Sequence, residues 1–120
     1  MKAIIYSDKE GPTSAAISQV MKLFDAETMQ ASGYDGLSKI LQEPKDDILV
    51  IDGTSTPDWE GIALGIRRAS KMPVFAIYLS EPKNKAELDA KEIEYAPVAD
   101  SVARLLEFVS RYKKLPEAPK

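Results

Sequence analysis

The chain contains neither cysteine nor histidine, and these two absences remove much of the chemistry open to a small protein. Thiol nucleophiles, disulfides, imidazole bases and zinc sites built on those ligands are excluded. Carboxylates and other hard oxygen ligands remain. A strong excess of one charge is missing too: 16 basic against 19 acidic residues leave a net charge of −3. Apart from Arg67-Arg68 and Lys113-Lys114 the cations are dispersed, which argues against direct nucleic-acid binding. No apolar stretch approaches the roughly 20 residues that span a bilayer, and the first residues lead into an apolar strand rather than a signal-peptide pattern. A soluble cytoplasmic protein without membrane contact is expected. Internal repeats and low-complexity segments are absent as well.

What is present is an ordered alternation of strands and helices. With 120 residues, 44% of them hydrophobic, the chain is long enough for one domain and one core. Residues 1–114 are read as that domain and the Pro-rich 115–120 as a tail or linker. Continuous apolar runs at Lys2-Ala3-Ile4-Ile5-Tyr6, at 47–52 and at 74–79 read as strands buried on both faces. Weaker strands are expected at 27–31 and 93–95. Between them, Ile17, Val20, Met21 and Phe24 lie on one helix face, with Thr13 or Ser14 as cap. Leu37, Ile40 and Leu41 mark a second helix stopped by Pro44. Trp59, Ile62, Ala63 and Ile66 mark a third that ends at Pro73, and a short charged helix surrounds residues 86–91. Val102, Leu105, Leu106 and Val109 predict a last helix capped by Asp100.

Five strands alternating with helices argue for an α/β fold with a parallel sheet and helices on both faces. Right-handed crossovers restrict the topology, and a flavodoxin-like order 2-1-3-4-5 fits the element count. That order sets the first and third strands side by side and brings Asp8 and Asp52, each at a strand end, to one crevice. Mg²⁺ is held by one or two carboxylates plus waters and phosphate oxygens; Asp8, Asp52 and the backbone carbonyl of Thr54 could supply the protein's share. A carboxylate so placed is also a nucleophile toward a phosphoryl group when a metal offsets charge on the incoming oxygens, which makes Asp52 the candidate phosphoacceptor. Ser80, at the end of the fourth strand, is a candidate donor to a phosphoryl oxygen. Each assignment has a plainer counterpart: strand-end aspartates form turns, Ser80 before Pro82 forms a hydroxyl-capped turn, Trp59 and Tyr78 fill a core or its rim, and Arg67-Arg68 is a solvated helix face.

The ordered set resembles the receiver domain of bacterial two-component response regulators over residues 1 to about 114. It comprises Asp8 ending the first strand, Asp52 ending the third, Pro57 and Gly61 in and after the following loop, Pro73-Val74 opening the fourth strand, and Ala96-Pro97-Val98 where that family has Lys-Pro-Phe. The resemblance implies a five-stranded 2-1-3-4-5 fold, Mg²⁺ at Asp8, Asp52 and the Thr54 carbonyl, and phosphotransfer from a histidine kinase onto Asp52. Departures accompany it. Ser7 stands where the family has a second acid, Ala96 replaces the lysine that bridges to the phosphoryl group, Ile93 replaces an aromatic, the loop from Asp52 to Gly61 is one residue longer, and the fourth helix is short.

An atypical receiver, or pseudo-receiver, is therefore expected. Its role is that of a non-enzymatic protein-interaction module in two-component phosphorelay signalling, with weakened or absent phosphotransfer and at most weak Mg²⁺ binding. The partner is a histidine kinase or other signalling protein, and the contact surface lies on the fourth and fifth helices and the strand between them, a face that also suits a homodimer. The alternative is a functional receiver that takes phosphate on Asp52 with Mg²⁺. A flavodoxin-like enzyme or nucleotide binder is disfavoured because no Gly-rich phosphate loop follows the first strand.

Overall fold

Apolar runs too short for helices and bounded by turn residues pair edge to edge in the computed structural model, which describes residues 2–9, 11–42 and 48–112. The strands are β1 (Lys2–Tyr6), β2 (Glu27–Ala31), β3 (Ile48–Asp52), β4 (Val74–Tyr78) and β5 (Glu94–Pro97). They form one parallel sheet in the order β2-β1-β3-β4-β5, the order that fits the element count and that the receiver resemblance implies. The helices are α1 (Pro12–Leu23), α2 (Gly33–Gln42), α3 (Trp59–Ala69), α4 (Lys85–Ala90) and α5 (Ser101–Tyr112), with a 3₁₀ turn at Val98–Asp100 leading into α5.

Strand alternation sorts the core into two layers. Ile4, Tyr6, Leu49, Ile51, Val74, Ala76 and Tyr78 pack with residues of α2, α3 and α4 on one face. Ala3, Ile5, Ile48, Val50, Phe75, Ile77 and Ala96 pack with α1 and α5 on the other. β3 and β4 are buried along their whole length, so covering by helices on both faces explains why their sequences are apolar without alternation. β2 is an edge strand with Glu27, Thr28 and Gln30 exposed.

Several local expectations are corrected. Strand β4 stops at Tyr78 and Leu79 is 66% exposed, because the sheet offers it no further neighbour. β5 begins one residue after Ile93, which turns into the α2/α3/α4 layer. Neither Thr13 nor Ser14 precedes α1. Pro12 opens the helix, where its missing N–H costs nothing, and the Ser14 hydroxyl accepts from the Gly11 amide at 2.9 Å. Asp100 sits in the 3₁₀ turn, not at a helix cap, and Ser101 donates to the Val98 carbonyl at 2.8 Å. On α5 the buried residues are Ser101, Leu105, Phe108 and Val109. Val102 is 49% exposed, so the inward face is rotated from the one predicted. Ile40 is buried as expected, whereas the side chains of Leu37 and Leu41, together with Pro44, Asp47 and the tail 113–120, lie outside the described residues.

Phe108 is fully enclosed, and its ring lies 5.3 Å from that of Phe75. Phe108→Ala is expected to cost about 3–5 kcal/mol by urea unfolding, against less than about 0.5 kcal/mol for Val102→Ala. Equal losses at the two positions would show that the α5 face is misassigned.

Candidate functional site

Parallel register delivers particular side chains to the carboxyl edge of the sheet. Tyr6 pairs with Ile51, which sets Ser7 beside Asp52 one residue on, with Asp8 just beyond. On the other flank Asp52 pairs with Ile77, and Ile77 with Ala96, so Asp52, Ile77 and Ala96 form one row across three strands. The loop after β3 closes over this edge. The Asp8 amide donates to the Thr56 hydroxyl at 3.3 Å, the Lys9 amide to the Ser55 hydroxyl at 3.4 Å, and the Ser7 and Ser55 hydroxyls lie 3.3 Å apart. The ends of β1 and β3 thus share one rim, as the strand order predicts.

The two aspartates differ sharply in surroundings. Asp8 is exposed and Asp52 is 1% exposed. A buried carboxylate is tolerated only with donors around it, and for Asp52 these come from its own loop. Its Oδ1 accepts from the Thr54 amide at 3.0 Å and from the Thr54 hydroxyl at 2.5 Å, and its Oδ2 faces the Ser55 hydroxyl at 3.4 Å. The amide bond two residues on is the aspartate turn that the residue type favours. Every one of these donors is neutral. The ion pairs Arg67–Glu92, Lys85–Glu81 and Arg111–Glu94 involve neither Asp8 nor Asp52. Ala96, at the position where a lysine would carry a cation into Asp52's row, is 1% exposed in the apolar layer with Phe75, Leu105 and Phe108.

For a divalent cation the fit is partial. Asp8 presents a solvated carboxylate at the same rim, and the Thr54 carbonyl belongs to the same loop. The carboxylate of Asp52, however, is already engaged, and Ser7 directs its hydroxyl to the Lys9 carbonyl at 2.6 Å. No group of three or more acidic side chains suited to a metal ion gathers among the described residues. Ser80 is exposed two residues beyond the end of β4, and neither aspartate is among its hydrogen-bond partners in the described residues.

Behind the loop stands an aromatic cluster that sequence reading treated only as generic filling. The Trp59 ring, on the first residue of α3, stacks on Tyr78 with centroids 5.9 Å apart and planes 10° from parallel, and Tyr95 closes the group at 6.4 and 6.1 Å. The Tyr78 hydroxyl donates to Glu81 at 3.4 Å and the Tyr95 hydroxyl to Asp89 at 3.0 Å. Burial, reinforced for Tyr78 by the Glu81 charge and for Tyr95 by its bond to Asp89, raises both phenols above their ordinary value. The signal for this cluster lay in alternation: Ala76 and Tyr78 share a face with the helix whose first residue is Trp59. Gly53 permits the close approach. A Cβ there would collide with the Ile77 carbonyl oxygen and lie 2.8 Å from the Trp59 ring.

Comparison with known proteins agrees with the fold. No family model matches the chain, and no curated protein matches it. Among solved structures, a response regulator receiver protein from Pseudoalteromonas atlantica superposes with a TM-score of 0.69 over 93% of this chain and 96% of that one, at 9% sequence identity. At that identity the likeness establishes the receiver fold, a five-stranded flavodoxin-like sheet flanked by helices. No helix among the described residues is long and apolar enough to cross a membrane.

Two outcomes test this geometry. Gly53→Ala should destabilise the protein by about 1–3 kcal/mol and shift Trp59 emission; unchanged stability would place the loop elsewhere. Because the folded-state phenols are raised, the neutral form is the stabilising one. Its contribution is intact below the ordinary phenol range and is lost as pH climbs through the raised values. Absorbance titration should show phenols ionising above the ordinary value, and Tyr78→Phe and Tyr95→Phe should each remove one of them. If neither substitution removes a phenol from that raised range, the enclosed cluster is contradicted.

Proposed function

We propose that this chain is a receiver-like signalling module that acts by protein contact, with phosphotransfer onto Asp52 weakened or absent. The observation that carries the reading is the row Asp52–Ile77–Ala96. Phosphoryl transfer to a carboxylate depends on positive charge against the transferring oxygens, and in this row the far position holds a buried methyl group. Ser7 beside Asp52 removes a further negative charge from the rim and with it a cation ligand. Asp8, Asp52 and the Thr54 carbonyl are the groups that would hold Mg²⁺, whose charge would offset that of the phosphoryl oxygens. With one carboxylate fewer and one already engaged, such binding is weak.

The partner surface proposed is α4, β5 and α5, by fold analogy with receivers. That face is held by side chains from separate elements: Arg111 bonds Glu94, Arg67 reaches the carbonyls of Lys91 and Met72, each at 2.9 Å, and Tyr95 bonds Asp89. A histidine kinase, another signalling protein or a second copy of this chain would meet it. The alternative, a working phosphoacceptor, is favoured by the shared rim of Asp8 and Asp52.

Incubation with Mg²⁺ and acetyl phosphate or carbamoyl phosphate, followed by intact-mass measurement, separates the two. The proposal expects little or no phosphate adduct. A stoichiometric adduct that disappears in Asp52→Asn would establish the alternative.

A further inference from the structure

The reason Asp52 is a poor acceptor need not lie only in the missing lysine, for the carboxylate is also restrained from within its own loop. Each carboxylate oxygen has two lone-pair directions. On Oδ1 both are taken by one residue, through the Thr54 amide at 3.0 Å and the Thr54 hydroxyl at 2.5 Å. Oδ2 faces the Ser55 hydroxyl, and the side chain as a whole is 1% exposed. An oxygen with both lone pairs engaged cannot attack a phosphorus atom or enter the shell of a cation until one bond is broken.

The two bonds to Oδ1 are not equivalent. The amide is fixed by the backbone of the turn, whereas the hydroxyl turns about a single side-chain torsion on a half-buried loop residue. Resting on the reading that phosphotransfer is weakened, we infer that Thr54 is a positioning residue whose hydroxyl latches Asp52, competing for Oδ1 with a divalent cation or a phosphoryl donor. The latch is reversible: a ligand that binds Oδ1 more strongly displaces the hydroxyl by rotation alone, and the loop need not refold.

Thr54→Val keeps the shape and the amide bond while deleting the hydroxyl, and Thr54→Ser keeps the hydroxyl. Thr54→Ala serves where valine does not fold. Two readouts are taken on each full chain: the rate of adduct formation with acetyl phosphate and Mg²⁺ by intact mass, and Mn²⁺ binding by emission of Trp59, the single tryptophan, whose ring abuts Gly53. A charge-assisted bond lost from the acceptor oxygen is worth roughly tenfold or more. The valine or alanine variant should therefore form adduct about tenfold faster than wild type and bind Mn²⁺ more tightly, with serine matching wild type. If loss of the hydroxyl lowers stability but leaves adduct rate and Mn²⁺ affinity unchanged, Thr54 is structural only and the latch is overturned. Rapid stoichiometric phosphorylation of wild type would instead overturn the proposed function, with the ratio between valine and wild type still deciding the latch.

Discussion

Burial of the Asp52 carboxylate is the constraint around which this edge of the molecule is organised. β3 occupies the middle of the sheet and is enclosed on both faces, so its last side chain is carried into a place where water cannot satisfy it. A charged group there needs donors of its own. The loop supplies them by turning back at once, with Gly53 permitting the close pass against Ile77 and Trp59 and Thr54 and Ser55 pointing hydroxyls inward. Thr56 and Ser55 then tie the same loop to the end of β1. Satisfying one carboxylate thereby joins two strand ends into the rim on which every functional reading depends.

The same bonds give that rim its chemical character. A carboxylate paired with a cation is poised for chemistry with anions, whereas one held by neutral hydroxyls and an amide is stabilised without any added formal positive charge. Ala96 completes the contrast by continuing the apolar layer to the edge of β5. Behind the loop lies a second set of contacts. Trp59, Tyr78 and Tyr95 link α3 to β4 and β5 by ring packing, and Tyr95 passes contact on to α4 through Asp89. These contacts run from the loop to the face proposed for partner contact.

Much of the fold was legible because burial writes itself into composition. Two-sided coverage of β3 and β4 leaves uninterrupted apolar runs, and alternation with helices points to a parallel sheet, whose order came from the element count and the receiver resemblance. Helix faces were less legible: Val102 and Phe108 both fall near the apolar stripe of α5, and only the position of Phe75 decides that Phe108 turns inward. Leu79 reads as strand by hydrophobicity but has no neighbour to bury it. At the site, Asp8 and Asp52 were visible as strand ends and Ala96 as a missing charge. The restraint on Asp52 was not, since hydroxyl residues in a loop of Gly, Thr, Ser and Pro carry no mark of which one turns back to the carboxylate. That information resides in side-chain torsions.

The most direct measurement is of proton proximities in solution by nuclear magnetic resonance on the unliganded chain. With β1 and the loop after β3 sharing one rim, the Asp8 amide proton should show a cross-peak to the Thr56 side chain, 48 residues away in sequence, and the Thr54 amide should exchange slowly because it is bonded to Asp52. An Asp8 amide without contacts to Thr56, together with a Thr54 amide that exchanges as freely as an open loop, would contradict the account.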